Sequence, residues 1–202
     1  SIDFQRELRK GDVFETFYSQ KIDLITNKII EAKLIHYISA NLKENDLKFY
    51  RFTTRNGKSN FYDEDGKSSK KTLMKTPLNG ARLSSGFGNR KHPILGFTKM
   101  HKGVDFAAPI GTPIFAAGDG IIEYSGWNGA YGKYIRIKHN STFKTAYAHL
   151  SKIYKKKGTR IKQGEIIGTL GSTGRSTGPH LHYEILLSGK QINPLRIKLP
   201  SG

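Results

Sequence analysis

An all-β protein built from antiparallel sheets is the fold class this sequence predicts. It has two parts: a small mainly-β domain with a linker over 1–76, and a larger β domain over 77–202. Three observations predict it. Before residue 77 the apolar stretches are rich in β-branched and aromatic residues and alternate partly with a period of two. From Leu78 onward glycine recurs every few residues between short apolar runs, the punctuation of many tight turns. The 202 residues, 36% hydrophobic and 11% aromatic, are enough for one large or two small domains with a proper core.

In chain order, residues 12–18 (Asp-Val-Phe-Glu-Thr-Phe-Tyr), 28–39 and 47–53 read as strands of a small antiparallel sheet. Polar breaks such as Leu42-Lys43-Glu44-Asn45-Asp46 separate them. Residues 27–38 also suit a helix, because Ile29, Ile30, Lys33, Leu34 and Tyr37 follow a 3.6-residue period; β-branched content favours the strand. Tyr62-Asp63-Glu64-Asp65-Gly66-Lys67 is a turn, and the polar run from Lys67 to Lys71 leads as a linker toward Pro77. Further on, Gly111-Thr112-Pro113-Ile114 runs through Gly118 to Ile121-Ile122. Gly158-Thr159-Arg160-Ile161 runs through Gly164 to Ile166-Ile167. This weak repeat, one copy a residue longer, predicts two similar hairpins. Gly171 to Thr177 is a glycine-rich loop ended by Gly178-Pro179, and His180 to Leu186 reads as a strand. Alternation puts His180, His182 and Glu184 on one face of it and Leu181, Tyr183 and Ile185 on the other.

Composition narrows the function classes. With 34 Lys and Arg against 16 Asp and Glu the formal net charge is +18, so an anionic partner is expected. Nucleic acid, anionic lipid and the bacterial cell wall all qualify. The basic residues are spread along the chain, dense only at Lys67 to Lys75 and Lys152 to Lys162, as on solvated faces. No aromatic-interleaved nucleic-acid signature is present, so no nucleic-acid partner is expected. The absence of cysteine rules out disulfides and thiolate metal sites, leaves nitrogen and oxygen as metal donors, and fits an exported bacterial protein. No run of about 18 apolar residues occurs, so this chain is expected to carry no membrane anchor. Ser1 begins without an initiator methionine or signal peptide, which reads as a processed or trimmed chain from which any anchor could have been lost.

Two strings carry the chemistry. His101-Lys102-Gly103-Val104-Asp105 supplies an imidazole and a carboxylate on a loop that Gly103 keeps from being helical, entering the strand Val104-Asp105-Phe106. His180-Leu181-His182 supplies two imidazoles on one strand face. A zinc that works on water needs three protein ligands and one open position, and this set fills the three with a histidine to spare. His149, in Ala146-Tyr147-Ala148-His149-Leu150, joins them as a polar residue after the strand 142–147, at a strand end where sites are displayed. Glu184 is either a partner of a ligand or a salt-bridged surface residue. His36, His92 and His139 are read as having no part in the site.

The pattern His101-x-x-x-Asp105, then His149, then His180-x-His182 resembles the lysostaphin/LytM-type zinc peptidoglycan endopeptidases. The resemblance covers about 77–195 and includes Ser85-Gly86-Phe87-Gly88-x-Arg90, Tyr147-Ala148-His149-Leu150 and the run from Gly171 to Glu184. Ile2-Asp3-Phe4-x-Arg6, Leu8-Arg9-x-Gly11-Asp12 and Tyr62 to Ser68 are similar, less specifically, to the middle domain of Gram-negative murein DD-endopeptidases. The resemblance implies a LytM-like (duplicated-hybrid-motif) antiparallel β-structure with an open groove. It also implies one zinc per chain on His101, Asp105 and His182, with His149 and His180 as catalytic histidines. Proximity to a ligand favours His180 as the base, though the sequence leaves the two open. The implied activity is hydrolysis of D-Ala–meso-diaminopimelate crosslinks of peptidoglycan, with DD-carboxypeptidase action as a variant. The expected setting is a monomer in the periplasm or envelope of a Gram-negative bacterium. A glycyl-glycine endopeptidase, or a non-enzymatic module that binds peptidoglycan or activates an amidase, are the alternatives.

Overall fold

The computed structural model describes residues 10–42, 45–70, 72–91 and 98–199. Among the described residues it is antiparallel β, as the sequence predicts, with one 3₁₀ turn at Gly129–Tyr131. No helix among the described residues is long and apolar enough to cross a membrane. The chain divides into two compact units, Ser1–Thr72 with Leu199–Gly202, and Leu73–Lys198.

The first unit is a four-stranded meander: β1 (Val13–Ile22), β2 (Ile29–Leu42), β3 (Asn45–Thr53) and β4 (Ser59–Tyr62), in the order β1-β2-β3-β4. Residues 29–42 are a strand, so the β-branched content of Ile29, Ile30 and Ile35 prevails over the helical period. The turn after Tyr62 closes through Gly66 N–H donating to Asp63 O at 2.9 Å, and a single bridge pairs Tyr62 with Ser68. Ile2 to Arg9, quoted above for their resemblance, and His92 lie outside the described residues.

From Leu73 the chain is packed rather than a free tether. Leu73 and Leu78 are fully buried, and the Met74 N–H donates to Ala117 O at 2.7 Å. The second unit contains β5 (Arg82–Ser85), β6 (Gly88–Lys91), β7 (Thr98–His101), β8 (Val104–Ala107), β9 (Pro113–Phe115) and β10 (Gly120–Trp127). It continues with β11 (Lys133–Lys138), β12 (Phe143–Ile153), β13 (Arg160–Ile161), β14 (Ile166–Leu170), β15 (Leu181–Leu187) and β16 (Lys190–Ile192). Its main sheet runs β13-β10-β11-β12-β15-β8-β5, and β6 with β7 forms a separate ribbon. Phe106, Ile135, Ile137, Tyr147, Leu150, Tyr183 and Ile185 are the inward faces of these strands and fill the core.

The repeat is real, but it does not make two hairpins. β9 pairs with β14, Ile114 opposite Gly168, and β10 pairs with β13, Gly120 opposite Ile161. Each copy therefore completes the other. The connecting segments also interlock, with Ala116 N–H to Glu165 O at 2.8 Å and Gly164 N–H to Ala116 O at 2.9 Å. The local pattern encodes a turn and a strand start but not the partner across the ladder, and here that partner is the distant copy.

Candidate functional site

Strand register brings the distant residues together. β8 and β15 pair so that His182 stands directly opposite Asp105, and β12 and β15 pair so that Ala148 stands opposite His182. Directly opposed residues on one face are close neighbours, which explains how a carboxylate and an imidazole remote in sequence come to touch. His101 ends β7, and Gly103 carries the chain from there into β8. A Cβ at Gly103 would lie 2.5 Å from Tyr183 O and 2.8 Å from His182 Cε1, so only glycine lets the turn pass under the imidazole.

The atoms expected to be ligands form a tight triangle. His101 Nε2 lies 3.1 Å from Asp105 Oδ1 and 3.0 Å from His182 Nδ1, and His182 Nδ1 lies 2.8 Å from Asp105 Oδ1. Among the described residues this is the one cluster whose side chains could hold a metal ion. The donor set fits zinc: two imidazole nitrogens and a carboxylate oxygen, three protein ligands in all. Tetrahedral ligands at about 2.0–2.1 Å from zinc stand about 3.3 Å apart, within a few tenths of an ångström of these separations.

Each histidine is aimed by a bond on its outer nitrogen. His101 Nδ1–H donates to Gly86 O at 2.6 Å, which leaves Nε2 facing the triangle. His182 is turned the other way: its Nε2 reaches Glu184 Oε1 at 3.0 Å, so Nδ1 faces inward. Glu184 is 2% exposed, accepts a second bond from Tyr131 Oη at 2.8 Å, and has Gln191 Nε2 at 3.3 Å. It is thus the buried partner of His182 and not a surface residue. Burial works against charge on Glu184, but the bonds from His182 and Tyr131 outweigh it and hold the carboxyl below its usual range. Burial likewise raises Asp105, and the hydrogen bonds from His101 and His182 overcome it, so this carboxyl is well below its ordinary value. For His182, burial opposes the charged form, yet the bonds to Asp105 and Glu184 push it up to about 9.

His149 and His180 stand beside the triangle. Their ring centroids are 4.6 Å apart, and His180 Nε2 lies 4.0 Å from Asp105 Oδ1. His180 precedes β15, joined to Gly171 by a single bridge, and its Nδ1–H donates to Gly178 O at 2.8 Å. His149 does not follow a strand, as the sequence led us to expect; it lies within β12. Lys133 pairs with Leu150 and Ile135 with Tyr147, so Ala148 and His149 together oppose one residue of β11. This is a β-bulge, and it places His149 at φ 62, a left-handed conformation that costs a non-glycine residue about 1–3 kcal/mol. The bulge re-aims the side chain, whose Nδ1–H donates to Thr173 O at 2.8 Å. Burial pushes the His149 imidazole down to about 4, and the neighbouring His180 and His182 act in the same direction. His149 is therefore neutral at neutral pH, with Nδ1 protonated and the Nε2 lone pair available.

These residues line a cleft of about 580 Å³. His36 belongs to the first unit, where it contacts Ser19 Oγ at 2.7 Å, and His139 bridges Asp119 O and Thr145 Oγ1 at 2.8 and 2.7 Å. Tyr131 and the carbonyls of Gly86, Thr173 and Gly178 are functional groups that the sequence reading missed. Gly-Ala-Tyr-Gly carries no local mark that its tyrosine meets Glu184, and backbone acceptors leave no mark at all.

The sequence profile of Peptidase family M23 matches residues 99–194. Among similar proteins, the peptidoglycan DD-endopeptidase ShyC of Vibrio cholerae is 43% identical over 205 residues, covering 100% of this chain and 46% of its own length. The DD-carboxypeptidase/endopeptidase Mpg of Neisseria meningitidis is 48% identical over 141 residues, covering 69% of this chain and 33% of its own. Among solved structures, a zinc-containing peptidase from Vibrio cholerae aligns with a TM-score of 0.62 at 37% identity, covering 98% of this chain and 60% of its own. The catalytic domain of lysostaphin from Staphylococcus simulans aligns with a TM-score of 0.54 at 38% identity, over 58% of this chain and 92% of that one. The chain spans about half the length, or less, of the curated relatives it matches.

Proposed function

This chain belongs to peptidase family M23, and from that membership and the geometry of its cleft we propose that it is a zinc metallopeptidase cutting D-Ala–meso-diaminopimelate crosslinks in peptidoglycan. One observation carries the reading: His101, Asp105 and His182 converge on a point while His149 and His180 present unligated nitrogens beside it. Zinc, when bound there, activates a water molecule and polarises the scissile carbonyl. His101, Asp105 and His182 hold the metal, and Glu184 keeps the His182 lone pair on it. His149, neutral and with Nδ1–H fixed on Thr173 O, takes the water's proton at Nε2. His180, fixed on Gly178 O and with its ring 4.6 Å from that of His149, supports the developing oxyanion once it carries a proton.

Relatives matched along essentially the whole chain are named DD-endopeptidases, which favours the diaminopimelate crosslink over a glycine bridge. The name of the Neisseria relative gives carboxypeptidase action on the same stems a specific basis as a second reading. The first unit, which ends at Thr72, is an accessory domain to the peptidase unit Leu73–Lys198. The enzyme works as a monomer in the periplasm or envelope of a Gram-negative cell, where its positive charge draws it to the anionic wall.

The test is mass spectrometry of the muropeptides left when purified sacculi are incubated with the zinc-loaded chain. Loss of crosslinked dimers with release of monomeric stems is expected. Loss of terminal D-Ala alone would make it a carboxypeptidase. Dimers that persist unchanged would overturn the proposal.

A further inference from the structure

The cleft carries more positive charge than its own carboxylate neutralises. Lys102, in the turn between β7 and β8, and Arg175, in the loop ahead of β15, both line it. Asp105 is the one carboxylate among the lining residues, and His101 and His182 already engage it. Both cations are exposed, and among the described residues neither makes a side-chain hydrogen bond or ion pair. An exposed cation on a mobile loop would mean little, but this loop is pinned. The Arg175 N–H donates to Ala130 O at 2.8 Å. Gly174 before it sits at φ 73, where a Cβ would lie 2.4 Å from Gly132 N. Lys102 is rooted just as firmly, between the ligand His101 and the tightly packed Gly103.

We propose that Lys102 and Arg175 form a carboxylate subsite that reads the acid group beside the scissile amide. The inference rests on the crosslink-hydrolase reading above and deepens it to substrate selection. In a D-Ala–meso-diaminopimelate crosslink, the carbon bearing the amide nitrogen also carries a carboxylate. Inside a glycine bridge no such group exists. Arg175 offers a planar fork for bidentate pairing and Lys102 a point charge. Together they favour a peptide with a free acid next to the bond to be cut. The same carboxylate stays on the amine-bearing product, so the subsite binds that product too.

The experiment uses an uncleaved probe, which separates this inference from its parent. Binding of the uncrosslinked stem tetrapeptide to the full chain is measured by calorimetry, with the one free diaminopimelate carboxylate intact and with that carboxylate amidated. The free-acid probe should bind about five- to tenfold tighter, a margin that shrinks as salt is raised because the cations are exposed. In Arg175→Gln with Lys102→Gln the margin should vanish, while Arg175→Lys should retain part of it. Equal binding of the two probes to the unsubstituted chain, or a margin that survives the double substitution, would overturn the subsite. Far-UV circular dichroism of the variants guards against a folding artefact. Failure to cut crosslinked dimers while the margin is present would sink the hydrolase reading and leave the subsite standing.

Discussion

Glu184 shows how much of the proposed metal centre lies behind its ligands. Its carboxylate holds His182 by Nε2 and is itself held by Tyr131, so the inward Nδ1 cannot swing away. Replacing it by glutamine keeps the shape and removes the charge. Glu184→Gln is expected to weaken zinc about 10–100-fold, read by competition with a chelating dye, while far-UV circular dichroism stays unchanged. In the proposed mechanism His149 acts on the proton and not on the metal. His149→Ala should lower kcat about 10²–10⁴-fold while zinc content, measured by elemental analysis, remains at one per chain. A loss of zinc instead would assign His149 to the ligand set. At this scale the sequence was informative wherever chemistry is written in residue types. Two imidazoles and a carboxylate without any cysteine already point to a nitrogen and oxygen site, and alternation puts His182 and Glu184 on one face. The backbone carbonyls of Gly86, Thr173 and Gly178 that aim three of the histidines are invisible in a sequence, because every residue has one.

At the scale of elements, three features govern the site: the β8–β15 register, the bulge in β12 and the turn at Gly103. A methyl group at Gly103 would press on Tyr183 O and on the His182 ring. Gly103→Ala is therefore expected to cost about 1–3 kcal/mol in a denaturant titration and to loosen zinc as well. Unchanged stability would mean that the turn has room the structure does not show. The existence of β1, β2 and β3 could be read from β-branched and aromatic residues because strand formation follows local content. Pairing could not. The repeat at Gly111 and Gly158 suggests hairpins, yet Ile114 pairs across to Gly168 and Gly120 to Ile161. The bulge at His149 escaped for the same reason, since it exists only as a mismatch between β12 and β11.

For the molecule as a whole, the peptidase unit owes its fold to apolar strand faces rather than to a metal. Phe106, Ile135, Ile137, Tyr147 and Tyr183 are fully buried and make a core of apolar and aromatic side chains. Removing zinc with a chelator should abolish hydrolysis and leave the far-UV spectrum in place, unlike small domains that unfold without their metal. Acid should weaken the fold through His139 as well as through His149, whose pKa burial also lowers. Burial lowers the His139 pKa, so this ring is neutral in the folded chain at pH values where the unfolded chain has taken up a proton. Its contribution is present above the unfolded value of about 6.5 and is lost as pH falls from there toward the depressed folded value. Melting temperatures should drop across that window, and His139→Gln should flatten that part of the profile; an identical slope in the variant would exclude His139 as a cause.

The central claim is that His101, Asp105 and His182 surround one divalent ion and leave a corner open to water. Anomalous diffraction at the zinc edge, on crystals of the zinc-loaded chain, tests it most directly. The account predicts a single peak bonded to His101 Nε2, Asp105 Oδ1 and His182 Nδ1, with a non-protein fourth ligand. A peak elsewhere, or a fourth ligand supplied by the protein, would contradict it.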